Sequence, residues 1–253
     1  TPTGSPRRRA RARRRLEGAD AALAQDHLPK TEQTFSSLRK QFPGTRSAQE
    51  SYLVLGQWYE RQAEWKKAIQ TYDRAKGARL DTRYQQLAIL GLARAYRKTG
   101  KDALQLYTQF LKVYPKSDFL PDARIGLGRS FVDQEKYRQA IDAFKRLQEE
   151  FPKHPFSVTA HRDIGDVYAA LGSPRLALAA YQRHLDQDPP TDEASVTRLS
   201  MGRVYRTQLA WTDKALDILR DLTNSPDPEI AGSAQFQLGQ TYELLGQTHL
   251  AVR

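Results

Sequence analysis

Residues 52–75 read YLVLGQWYERQAEWKKAIQTYDRA, and residues 124–147 read RIGLGRSFVDQEKYRQAIDAFKRL. A small residue, a ring, an alanine and a second ring stand in the same places in both. Gly56, Tyr59, Ala68 and Tyr72 align with Gly128, Phe131, Ala140 and Phe144. One unit of this size cannot bury its apolar face alone, so neighbours must stack, and the chain is constrained to a quasi-linear array rather than a globule closed around one centre.

Counting Gly56 as position 8 sets a register in which Tyr52 is position 4, Leu55 position 7, Tyr59 position 11, Ala68 position 20 and Tyr72 position 24. The same frame takes in Leu127, Gly128, Phe131, Ala140, Phe144 and Pro152, then Ile164, Gly165, Tyr168, Gly172, Ala177, Tyr181 and Pro189. Gly202 with Tyr205 and Gly239 with Tyr242 follow, and Ala93 with Tyr96 fills the earlier gap. Leu, Gly and Tyr at i, i+1 and i+4 share one helix face. The tiny residues at positions 8 and 20 let two helices approach, and the rings at 11 and 24 fill the wedge between successive pairs. In GSPRLALAAY, Gly172 ends one helix, Ser173 is placed to cap the next and Pro174 sits in its first turn. Pro43, Pro115, Pro152 and Pro189 stop second helices. In the Ala93 copy, Ala103, Tyr107 and Pro115 come two residues early, which predicts a shortened turn between its helices.

The pattern Tyr52-x2-Leu55-Gly56-x2-Tyr59, followed by Ala, aromatic and Pro, resembles the tetratricopeptide repeat. The resemblance implies an all-α fold: a TPR-type α-solenoid of antiparallel helix pairs stacked in a right-handed superhelix, about six and a half units long. Position 8 falls at 56, 93, 128, 165, 202 and 239, a step of mostly 37 rather than about 34. The extra residues lie in polar, Pro-containing connectors such as YPKSDFLPDAR and FPKHPFSVTAHR. These long-connector repeats are similar to two bacterial envelope families, the periplasmic coordinator of the Tol–Pal system and the lipoprotein subunit of the outer-membrane β-barrel assembly machinery. That similarity implies a periplasmic or envelope adaptor, with the cytoplasm as the alternative. LEGADAALAQDHLPKTEQTFSSLRKQFP fits a degenerate first unit with Ala19, Ala22, Phe35 and Pro43 in frame. The last unit stops soon after Ala251 at position 20, so both ends read as cut from a longer protein.

The net charge is +11, and seven of those charges sit in RRRARARRR: Arg7, Arg8, Arg9, Arg11, Arg13, Arg14 and Arg15. The rest of the chain carries only +4, so the organisation expected is an Arg-rich, flexible or helical tract over 1–15 and a repeat array over 16–253. Such a tract suits nucleic-acid phosphate, anionic lipid or an acidic protein. No aromatic is interleaved with it, so base stacking is not suggested. There is no cysteine, which removes disulfides, thiolate metal sites and a thiol nucleophile. No run of apolar residues is long enough to span a bilayer.

Catalytic signatures are not found. His161-Arg162-Asp163 matches a kinase catalytic-loop tripeptide without the Gly-rich loop or metal-binding motif that must accompany it. The five histidines, 27, 154, 161, 184 and 249, form no close ligand pair, so no metal or other cofactor is expected. Glu149 and Glu150 diverge by about 100° on a helix. The chain is therefore expected to be a non-catalytic scaffold or adaptor that binds other proteins. The alternatives are an anionic-polymer or membrane-surface binder acting through the Arg tract, or the non-catalytic arm of a larger enzyme.

In tetratricopeptide arrays, positions 2, 5, 9, 12 and 13 of the first helices line the groove. Carried over, the resemblance gives Gln57, Glu60, Arg61, Arg94, Arg97, Lys98, Arg129, Asp133, Arg162, Asp166, Arg203, Arg206, Gln240 and Glu243. Arg94, Arg97, Lys98, Arg129, Arg162, Arg203 and Arg206 are the candidate partner-binding residues. Planar guanidinium forks suit an acidic or carboxylate-bearing segment.

Overall fold

A computed structural model describes residues 5–23, 28–77 and 81–251. Among these residues the secondary structure is helical, with no strand, and it divides into two compact units. Thr1–Asp133 contains α1 (Pro6–Leu23), α2 (Leu28–Gln41), α3 (Arg46–Arg61), α4 (Trp65–Gly77), α5 (Thr82–Lys98), α6 (Leu104–Val113) and α7 (Leu120–Asp133). Gln134–Arg253 contains α8 (Tyr137–Glu150), α9 (Pro155–Ala170), α10 (Pro174–Leu185), α11 (Thr191–Gln208), α12 (Thr212–Leu222), α13 (Pro228–Leu244) and α14 (Thr248–Ala251).

The packing repeats as the sequence does. In the first unit α1 packs on α2 and α3, α3 on α4 and α5, and α5 on α6 and α7. In the second, α9 packs on α10 and α11, and α11 on α12 and α13. This is the helix-pair stacking of an α-solenoid. The alanines at position 20, Ala68, Ala140 and Ala177, are fully buried, as is Ala215 one position later in its unit, and Ala103 is buried to within 2%. Tyr72 is buried between two glycines: a Cβ on Gly56 would lie 2.5 Å from its ring, and one on Gly91 of the next first helix 2.4 Å. Gly126 against Tyr107 and Gly165 against Tyr181 repeat the arrangement, at 2.3 and 2.5 Å. The small residues are therefore sockets for the position-24 ring. The sockets at Gly91 and Gly126, two positions before the expected one, were not read from the sequence.

Two local expectations are corrected. The connection before α6 is not shortened: it runs over 99–103, five residues, against 62–64 before α4. The missing residues come out of α6 itself, which begins only after Ala103 and has 10 residues. The Asp102 carboxylate receives the Leu104 amide at 2.8 Å and so starts the helix late. Ser173 does stand at the N-cap of α10, but its side chain makes no capping bond. Its backbone, φ −109° and ψ 66°, is not the extended form that aims a hydroxyl at the first free amides. Gly172 behaves as expected, closing α9 at φ 65°. Ala22 and Ala251, placed in frame by sequence, and His27 lie outside the described side chains.

Candidate functional site

In the first unit two candidate arginines are already spoken for. Arg94 makes a two-pronged pair with Glu60, Nε to Oε2 and Nη2 to Oε1, each 3.1 Å. The Tyr72 hydroxyl donates to the same carboxylate at 2.6 Å. Burial, reinforced by the negative charge of Glu60, pushes the Tyr72 phenol well above its ordinary range, so it stays a donor. Burial also pushes Tyr107 up to about 12. Arg97 makes a second fork, with Asp133, at 2.6 and 3.2 Å. Each pair joins position 12 of one first helix to position 9 or 13 of the next, so these charges bind repeat to repeat. Lys98 is exposed at the end of α5, and Arg129 is half-buried on α7.

The second unit differs. Arg162 is half-buried on α9, with Nη2 3.8 Å from Asp163. Asp166 accepts from the Tyr181 hydroxyl at 2.7 Å, and burial raises its pKa above the usual carboxylate range. His184 is fully buried, Nδ1 lying 2.9 Å from Thr197 Oγ1 and Nε2 3.5 Å from Glu193. Burial, then the Arg162 charge, lowers its pKa below the ordinary value, with Glu193 opposing.

Arg203 and Arg206 stand one turn apart on α11. Among the described residues Arg203 is exposed and makes no ion pair, and Arg206 Nε is buried without a hydrogen-bond partner. Arg206 occupies position 12, the register held by Glu60 and Arg97 in the first unit. Positions 9 and 13 of α13, which would answer it, are Gln240 and Leu244, neither of them an acid. Burial and the nearby charge of Arg203 lower the Arg206 pKa. Neither guanidinium makes an ion pair among the described residues, although Arg203 lies near enough to Asp166 of α9 for its charge to oppose the burial that raises the Asp166 pKa.

The basic tract forms the first half of α1, so the boundary drawn at residue 15 falls inside one continuous helix. Ala12 and Ala19 are buried, and at about 100° per residue Arg8 and Arg15 share their face. Arg8 donates to the Gln41 carbonyl at 3.1 Å, and Arg15 to Gln41 Oε1 at 2.6 Å and Ser37 Oγ at 3.3 Å. Arg13 pairs with Glu17 at 2.8 Å. Arg7, Arg9, Arg11 and Arg14 are exposed and make no side-chain bond among the described residues. Arg7, Arg11 and Arg14 lie within about 60° of one another on one flank.

Among the described residues no group of His, Asp and Glu could hold a metal ion. Among the described residues no helix is long and apolar enough to cross a membrane. His161, Arg162 and Asp163 sit in mid-helix on α9, where His161 is half-buried and Asp163 buried, not in an open loop.

Comparison with known proteins places this geometry. Three tetratricopeptide repeat family models match, over residues 51–83, 87–117 and 125–191. A tetratricopeptide repeat protein from Parabacteroides merdae is similar with a TM-score of 0.73 and 14% identity, covering 95% of this chain and 89% of that one. A thermophilic one from Thermus thermophilus has a TM-score of 0.61 and 19% identity, covering 76% of this chain and 99% of that one. YrrB, described as having an unusual peptide-binding site, has a TM-score of 0.51 and 18% identity, covering 71% and 88%. A search of the curated proteins finds no significant match.

Proposed function

The chain is a tetratricopeptide repeat protein, and on that premise we propose that it is a non-catalytic scaffold holding segments of other proteins against its first-helix faces, as an adaptor in a bacterial cell-envelope complex. The fold belongs to a class of arrays that bury their apolar faces on each other and leave the first-helix face for partners. The envelope setting rests on the likeness of the long connectors to envelope families. The observation that carries the binding mode is the pair Arg203 and Arg206, neither of which makes an ion pair among the described residues, with Arg206 Nε buried and lacking a hydrogen-bond partner. Arg94 and Arg97 are consumed in repeat-to-repeat forks, whereas of the two α11 guanidinium groups Arg203 has the Asp166 charge nearby but neither forms an ion pair among the described residues. An acidic side chain or chain-terminal carboxylate from a partner is the group that completes it.

A second reading has its own observation. Arg7, Arg11 and Arg14 form an exposed basic flank on α1, suited to anionic lipid, nucleic acid or an acidic protein. The two readings separate in one experiment: crosslinking capture from the protein's own cells with wild type, the Arg203→Glu/Arg206→Glu variant and the Arg7→Glu/Arg11→Glu/Arg14→Glu variant. Loss of the same specific partners only in the α11 variant is the expected result. Loss only in the α1 variant moves the function to the basic flank and overturns the assignment to α11.

A further inference from the structure

The first unit contains a cleft of about 440 Å³ that the adaptor reading does not use. Its walls are α2, with Glu32, Gln33, Ser36 and Arg39, and α4, with Lys67, Gln70, Thr71 and Arg74; Leu55 and Tyr59 of α3 form its floor. Both walls pack on α3 but not on each other, which leaves the gap open. The groove positions named above lie on the first helices; this opening lies between two second helices.

The charges are distributed unevenly. Glu32 and Arg39 are seven residues apart on α2, as are Lys67 and Arg74 on α4, so each wall carries charged groups about 10 Å apart along its axis. Both helices run antiparallel to α3 and hence parallel to each other. One end of the cleft therefore has Glu32 facing Lys67, and the other has Arg39 facing Arg74. The first end is satisfied: Tyr59 donates its hydroxyl to Glu32, and the Lys67 ammonium lies 5.6 Å from the Tyr59 ring and 3.3 Å from Glu64.

The second end is not neutralised. Arg39 stacks over the Tyr52 ring at 4.4 Å and donates to Ser51 Oγ at 3.1 Å, so its guanidinium is fixed in place by uncharged partners. Arg74 is exposed and makes no ion pair among the described residues. The two like charges act on one another: burial, then the charge of Arg74, lowers the Arg39 pKa, with Tyr52 opposing. Between the two ends lie neutral hydrogen-bonding groups, Gln33, Ser36, Gln70 and Thr71, over an apolar floor.

We propose that this cleft is a binding site for a small organic anion, its phosphate or carboxylate held between Arg39 and Arg74 and its apolar body lying over Leu55 and Tyr59. The volume fits a small ligand rather than a folded partner. Planar guanidinium groups bind such oxyanions through paired charged hydrogen bonds. The inference is independent of the scaffold function.

The test is calorimetric titration of the 253-residue chain with four probes: phenyl phosphate, benzoate, benzyl alcohol and inorganic phosphate. Phenyl phosphate is expected to bind once per chain, tighter than inorganic phosphate because of the ring, and tighter than benzyl alcohol because of the charge. Arg74→Gln is expected to weaken it by about tenfold or more, and Arg74→Lys by less. Arg74 is exposed, so its variants are expected to keep the wild-type melting temperature, which removes misfolding as an explanation. The Arg203→Glu/Arg206→Glu variant is expected to bind phenyl phosphate as wild type does. Absence of saturable binding, or binding unchanged in Arg74→Gln, overturns the proposal. Loss of binding in the α11 variant instead assigns the anion to α11 and equally overturns it.

Discussion

Replacing Gly91 by alanine tests the socket packing most sharply, because helix propensity and packing predict opposite signs. In an exposed helix interior, Gly→Ala stabilises by about 1 kcal/mol, mainly through backbone entropy. At Gly91 the new Cβ would fall 2.4 Å from the Tyr72 ring, about 1 Å inside ordinary contact. The ring has little room to retreat, since it packs so close to Gly56 that a Cβ there would also fall 2.5 Å from it, and its hydroxyl is held by Glu60. Overpacking of this kind costs about 1–3 kcal/mol, and the upper end applies where neither side can yield. Subtracting the propensity gain leaves a net loss near 2 kcal/mol, a melting temperature lower by about 4–8 °C for a chain of this size. Gly232 on α13 has nothing within 4 Å of its would-be Cβ. Gly232→Ala is expected to stabilise by about 0.5–1 kcal/mol. Thermal and urea denaturation of both variants, followed by circular dichroism, gives the comparison. A double-mutant cycle with Tyr72→Leu should show that shrinking the ring relieves the Gly91→Ala penalty. Stabilisation by Gly91→Ala, or strict additivity with Tyr72→Leu, would refute the socket reasoning.

Other outcomes follow from single side chains. Arg94→Ala leaves the largely buried Glu60 carboxylate without its fork and should cost about 1–2 kcal/mol in urea denaturation, with Arg94→Lys recovering only part because it lacks the planar fork. Thr45, buried at the start of α3, receives the Ala48 amide at 3.3 Å and donates to the Phe42 carbonyl at 2.8 Å; Thr45→Ala should lower stability by about 1 kcal/mol. His184 has a lowered folded-state pKa, so the unfolded chain binds more protons between that value and about 6.5. Stability should therefore fall as pH drops through about 6.5 and stop falling below the folded-state pKa. In denaturation series from pH 8 to pH 5, His184→Gln should lose less stability over that window than wild type, and an equal loss would remove His184 as the cause.

The repeat was legible because its determinants are local and discrete. A glycine and a ring at fixed spacing leave few ways to pack, and Gly56, Tyr72, Gly165 and Tyr181 do what their spacing predicts. The late start of α6 was not legible, because a shift of Ala103 by two residues can be absorbed by a turn or by a helix, and Asp102 decides it through one hydrogen bond. Which groove arginines have partners was only half legible. Type and position were readable, but Arg94 finds Glu60 34 residues earlier and Arg97 finds Asp133 36 residues later. Comparing position 12 of each unit with positions 9 and 13 of the next exposes these pairs in the sequence, and it leaves Arg206 opposite Gln240 and Leu244. The α2–α4 cleft could not be read, since it depends on how far two second helices splay over α3.

The most direct test of the scaffold claim is hydrogen–deuterium exchange of the full chain, free and bound to the partner captured from its own cells. Slowed exchange concentrated in residues 191–208 and 228–244, and lost with Arg203→Glu/Arg206→Glu, is the predicted result. Protection confined to residues 6–23, with α11 unchanged, would contradict it.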